Sequence, residues 1–172
     1  MKALDCVITV EAFCGAELFS RMGGTERDQQ IYAELASYTL THGDPGFIHQ
    51  LVVDADTAQH AGPETKPVAV AFALAGLYLH LEHGFSGKQI QRAHMRLARR
   101  KQRWPRFALP SDRGEVTVAG VVAVPPGKER DAAIERWCAS VWRSWESTHE
   151  RVAEWLKLEL DVERPEEPNR RP

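Results

Sequence analysis

Residues 67–84, PVAVAFALAGLYLHLEHG, constrain the fold more than any other stretch of the chain. The segment is apolar on nearly every side, so a helix built from it has no face to offer to water and must be surrounded by other helices. It falls short of the ~20 residues that cross a bilayer, and Gly76, His80 and several alanines interrupt it. Gly84 is placed to stop it, because glycine adopts the left-handed conformation that closes a helix. The stretch therefore reads as the central helix of a bundle.

The surrounding sequence supplies partners for it. Thr25 and Asp28 mark a helix start, and Ile31, Leu35 and Tyr38 continue at helical spacing, which predicts a helix over 26–41. Asp44 as cap and Pro45 at the first helical position predict a second helix running to the Gly62-Pro63 break. Ser86 with Gln89 forms a capping-box pattern that opens a fourth helix, ended by Trp104-Pro105. Residues 105–127 are rich in proline and glycine around one β-like run, EVTVAGVVAV, so an irregular loop, short strand or helical turn is expected there.

From 128 to 160 the helical spacing returns, and so long a helix would span about 50 Å, which invites a bend or a split. The final ten residues, ERPEEPNRRP, have no periodic apolar positions and are expected to be disordered. The expected fold is all-α: an up-and-down bundle of four or five helices, one domain over 1–162, with an excursion before a long last helix.

Composition narrows the partners. A net charge of −2 with 27% charged residues produces no dominating field, which argues against nucleic acid and against a membrane surface. The start, MKALDCVITVEAF, lacks the uninterrupted apolar centre of a signal peptide, so a cytoplasmic location is expected. Cys6, Cys14 and Cys138 are too few and too scattered for a disulfide framework.

The segment HQLVVDADTAQH, residues 49–60, is the chemical candidate. At about 100° per residue, His49, Asp56 and His60 fall on one helical face, whereas Asp54 points elsewhere and reads as structural. His149 lies in the apolar stripe of the last helix and can face this set. Three imidazoles and a carboxylate projecting into a bundle suit zinc or iron. The same groups suit metal-free general acid–base catalysis, because a carboxylate orients and tunes an imidazole. Spacing does not separate these alternatives.

The basic run RRKQRWPRF carries aromatic residues but reads first as a solvated helix end. Trp137, Trp142, Trp145 and Trp155 read as core and rim packing, with a homodimer through the last helix as the alternative use.

The stretches HQLVVDADTAQH, GLYLHLEHG, LPSDRGEVTVAGV and WCASVWRSWESTHERVAEW, in that order, resemble an uncharacterised bacterial family of unknown function. The resemblance covers most of residues 45–156. Its motifs are a CPGCGA-like N-terminus, HxLxVDxYxxQH and WAxSVWxxW. Against that pattern, Glu11 stands where the family has a first cysteine and Cys14 where it has the second. Asp28 falls near a further cysteine, Asp56 replaces a tyrosine and Ala73 a histidine. The resemblance thus adds Glu11, Cys14 and Asp28 as cofactor-binding candidates, with carboxylates in place of thiolates favouring harder ions or no metal. A weaker architectural likeness is to metal-binding four-helix bundles of the DinB type, where His49 or His60 would meet His149. The function expected is a small-molecule enzyme using His49, Asp56, His60 and His149, with a divalent metal or none. The alternative is a non-enzymatic binding or oligomerisation module.

Overall fold

A computed structural model of the chain describes residues 26–43, 46–100 and 103–160. They form seven α-helices: α1 (Glu26–Thr41), α2 (His49–Gln59), α3 (Pro67–His83), α4 (Gly87–Ala98), α5 (Val118–Val122), α6 (Lys128–Ser144) and α7 (His149–Leu160). There is no strand among the described residues, so the protein is all-helical as expected. None of these helices is long and apolar enough to cross a membrane.

The apolar segment is α3, and it lies at the centre. It packs on α2, α4, α6 and α7, and Leu74, Ala75, Leu77 and Leu79 are wholly buried. Each such leucine contributes about 2 kcal/mol by leaving water, which is why a segment with no polar face can be stable only here. Pro67 opens the helix and Gly84, at φ 67°, closes it. Phe85 N–H donates to Leu79 O and Gly84 N–H to His80 O, at 3.0 and 2.9 Å, the paired bonds of a glycine-terminated helix. The capping box of α4 forms as the sequence predicts, with Ser86 N–H donating to the Gln89 side-chain oxygen at 2.8 Å.

Two expectations are corrected. The second helix begins at His49, not at Pro45, and Asp44 and Pro45 lie outside the described residues. Phe47 takes a left-handed φ of 61°, which no helix continues through. Of the alternatives expected for the β-like run, the helical turn is the one that forms, as the five-residue helix Val118–Val122. The described residues form seven α-helices where four or five were expected, partly because the long last segment splits. A 3₁₀ turn at Glu146–Thr148 separates α6 from α7.

The irregular stretch before α5 is fastened to the core by two polar side chains. The Gln59 amide donates to Arg113 O and Val116 O, both at 2.8 Å, and its oxygen accepts from Trp137 Nε1 at 2.9 Å. Ser140 Oγ accepts from Glu115 N–H and Val116 N–H, at 2.9 and 3.2 Å. Gly114, at φ 84°, lies so close to the Ser140 carbonyl that a side chain there would collide. A buried polar group is tolerated only when its hydrogen bonds are made, and Gln59 makes all of its own.

Candidate functional site

The four residues expected to converge do not. His49 and His60 share a helical face, but eleven residues of rise separate them by about 16 Å along the axis. Each ring has its own partner. His49 Nδ1 lies 2.8 Å from Thr39 Oγ1, and burial pushes its pKa below the usual histidine range. His60 Nδ1 lies 3.0 Å from Asp56 O and 3.1 Å from Asp56 Oδ1.

His149 stacks face to face on Trp142 at 3.7 Å, and its Nε2 donates to Trp142 O at 2.9 Å. Among the described residues no group of three or more histidine, cysteine, aspartate or glutamate side chains is arranged to hold a metal ion. The expected ligand set of His49, Asp56, His60 and His149 is therefore not formed. Of the candidates drawn from the family pattern, Glu11 and Cys14 lie outside the described residues.

Part of the prediction does assemble. Asp56 is buried and faces His60, and that hydrogen bond is the main reason the His60 pKa is raised, with the charge of Asp28 adding to it. Asp56 itself is raised by burial, with His60 pulling it back. His60 thus lies within electrostatic reach of both Asp56 and Asp28.

Asp54 is buried against the central helix α3. Gln50 donates to its Oδ1 at 3.1 Å, and the carboxyl packs against Gly76 of α3, where any side chain would overlap it. Burial raises its pKa well above the usual carboxylate value, with the Gln50 hydrogen bond pulling it back. Cys138 is a free, buried thiol, with its Sγ 3.8 Å from Leu51 O. Burial raises its pKa too. The aromatic residues of the basic run are engaged: Trp104 and Phe107 both pack edge-on against Trp155, at 6.3 and 6.4 Å. Trp137, Trp142 and Trp145 are core residues.

A second polar centre went unread in the sequence. A pocket of about 440 Å³ opens where the C-terminal ends of α1 and α3 meet the N-terminal ends of α4 and α6. His42, His80, Asp131 and Glu135 line it, with Ile48 and Leu51 as apolar wall and Gly43, Gly46, Ser86 and Gly87 completing it. Its histidines come from ends of helices whose exposed carbonyls favour positive charge, and Asp131 from the first turn of α6, whose exposed N–H groups favour negative charge, with Glu135 one turn further on.

His80 is the best-fixed member. The turn made by Gly84 brings Phe85 O onto His80 Nδ1 at 2.8 Å, and His80 Nε2 lies 2.6 Å from Glu135 Oε2. A carbonyl and an ionised carboxylate only accept, so the ring must donate from both nitrogens and is held as a cation. The hydrogen bond to Glu135 is accordingly the main cause of its raised pKa.

The second pair is looser. His42 Nε2 lies 3.5 Å from Asp131 Oδ2, and Tyr38, one turn before His42 and in ring contact with it at 5.0 Å, donates its hydroxyl to Asp131 Oδ1 at 2.7 Å. Gly127 N–H donates to the Tyr38 oxygen at 3.1 Å, and Gly127 O lies 3.2 Å away as a second, longer acceptor for the Tyr38 hydroxyl. The Arg130 guanidinium donates to Val124 O and Val122 O at 2.8 and 2.9 Å and lies over the Tyr38 ring, 5.0 Å from its centroid.

The pocket rim is tightly built. Lys88 N–H donates to Gly46 O at 3.0 Å, and Gly87 has no room for a side chain beside Phe47 O. The left-handed Phe47 is a costly conformation, of order 1–3 kcal/mol, that the surrounding contacts must hold in place.

With this geometry in hand, the class of the molecule is an all-helical protein with histidine–carboxylate pairs at a helix-end pocket. The chain belongs to a family of unknown function, DUF5946, which it matches over residues 9–146. Neither a curated protein nor a solved structure matches it.

Proposed function

We propose that the protein is a small-molecule enzyme that transfers a proton by histidine general acid–base chemistry in the pocket at the ends of α1 and α3. The observation that carries this reading is that two histidine–carboxylate pairs, His42–Asp131 and His80–Glu135, face one pocket. His42 is assigned as the acid–base group. Its Nε2 faces Asp131, and its Nδ1 has no hydrogen-bond partner among the described residues.

Asp131, held by Tyr38, fixes the ring's orientation and stabilises the imidazolium formed when Nδ1 accepts a proton from a substrate. The 3.5 Å separation is of the looser kind found before a substrate tightens such a pair. His80 and Glu135 form the opposite wall as a fixed ion pair. The volume suits a compact organic molecule, since ligand pockets run from about 300 to 1,000 Å³.

The test is a thermal-shift screen of small organic molecules, followed by turnover assays on those that bind. His42→Gln should retain binding and lose at least a hundredfold in turnover, since positioned general acid–base groups contribute roughly 10²–10⁴-fold. Unchanged turnover in His42→Gln sinks the assignment.

A further inference from the structure

The pocket's hydrogen-bonding capacity is lopsided. Both His80 N–H groups are engaged, one by Phe85 O and one by Glu135. Among the described residues no lysine or arginine lines the cavity. An ionised carboxylate offers about four lone-pair sites. Glu135 uses Oε2 on His80, and its Oε1 has no hydrogen bond among the described residues. Asp131 accepts one hydrogen bond, from Tyr38, and has His42 at the longer ion-pair distance. The groups with capacity to spare are thus acceptors, one turn apart on the same face of α6, while Ile48 and Leu51 offer carbon surface beside them.

We infer that the pocket takes an organic cation, a primary amine or amidine with a short apolar body, whose N–H groups are received by Asp131 and the outer oxygen of Glu135. An anion is the wrong partner, because the one held cation already has both donors occupied and a carboxylate on each side would repel it. A neutral alcohol could donate too, but without the charge-assisted bonds that are roughly twice as strong. This rests on the reading of the pocket as the functional site, and it names the class of molecule that site receives.

The experiment uses three probes of matched length: 1,4-diaminobutane, 1,4-butanediol and succinate. Each is titrated into the full chain at pH 7, and binding is followed by calorimetry and by the histidine ring resonances. The diamine should bind and move the His42 and His80 resonances, the diol should bind at least tenfold more weakly, and succinate should not bind. Asp131→Asn and Glu135→Gln should each weaken the diamine at least tenfold. Two variants guard against one that fails to fold, and circular dichroism checks both. Binding of succinate in preference to the diamine, or diamine binding indifferent to both substitutions, overturns the cation assignment and leaves the pocket as a site of another chemistry. If none of the probes moves either ring and the screen of the preceding section finds no ligand, the pocket reading falls with it.

Discussion

The two halves of α6 put polar side chains to opposite uses. In its second half, Ser140 and the indole of Trp137 are buried, and both are closed off by the irregular stretch and by Gln59. In its first half, Asp131 and Glu135 remain partly exposed at a pocket, and they retain acceptor capacity beyond their histidine partners. The difference shows how to tell a structural polar group from a functional one. A buried group whose every bond is made within the chain stabilises the fold, and a group fixed on one side but open on the other is available to a ligand.

The largest effect expected from this contrast lies in the interior. Gln59→Ala removes three hydrogen bonds and leaves Trp137 Nε1, Arg113 O and Val116 O in want of partners. At about 1 kcal/mol each, the loss is about 3 kcal/mol, or a fall of roughly 6–12 °C in Tm for a chain of this size. Calorimetric melting measures it, and a change under 2 °C would show that this side chain does not fasten the stretch.

Acid provides the next test. The buried Nε2 of His94 has no partner, although the residue keeps some exposure at its edge, and burial lowers its pKa to about 4. A depressed histidine favours the fold above its ordinary pKa, so stability declines as pH falls through the window from about 6.5 to about 4. At pH 5 the loss is about 2 kcal/mol from this group. His94→Phe, which keeps an aromatic ring against Phe72, should remove that part of the acid sensitivity. An identical decline in the variant would place its origin elsewhere.

Asp54 has the opposite sign. Its raised pKa favours the fold in acid, and that contribution is lost as pH rises through the folded value. Asp54→Asn should therefore be at least as stable as the parent at pH 7 and should flatten the decline toward alkaline pH in urea titrations. A clearly less stable Asn variant would mean the carboxyl has a partner that its neutral form cannot satisfy.

At the pocket the stability effects should be smallest. Glu135→Gln breaks a half-exposed ion pair and should cost no more than about 1 kcal/mol, while returning His80 toward its ordinary pKa. Ring-nitrogen titration checks the second half, and a His80 that titrates as before in the variant contradicts the pairing.

Much of the fold was legible because strong local signals agreed with tertiary need. Pro67 and Gly84 bound α3 where its apolar run begins and ends, and Ser86 with Gln89 opens α4. The start of α2 was misread because nothing in the sequence announces that Phe47 turns left-handed. EVTVAGVVAV was ambiguous because a short apolar run fits strand or helix equally, and the Thr117 hydroxyl, accepting from Gly120 N–H at 3.3 Å, settles it as a helix cap.

The site was less legible, for two physical reasons. The angular argument that united His49 with His60 ignores the rise along the axis. The pocket's own members lie far apart in the chain, at the ends of α1 and α3 and in the first turns of α6. Two signals did exist: Tyr38 with His42, and Asp131 with Glu135, each pair four residues apart and so adjacent on a helical face.

The most direct test of the account is a titration of the histidine ring nitrogens by NMR, in the whole protein, with and without 1,4-diaminobutane. His80 should titrate above the usual histidine range, and the His42 and His80 rings should shift together when the diamine is added while His49 and His94 stay put. A His80 ring that titrates at or below that range, or a diamine that moves His49 or His94 and leaves the two pocket rings unmoved, would contradict it.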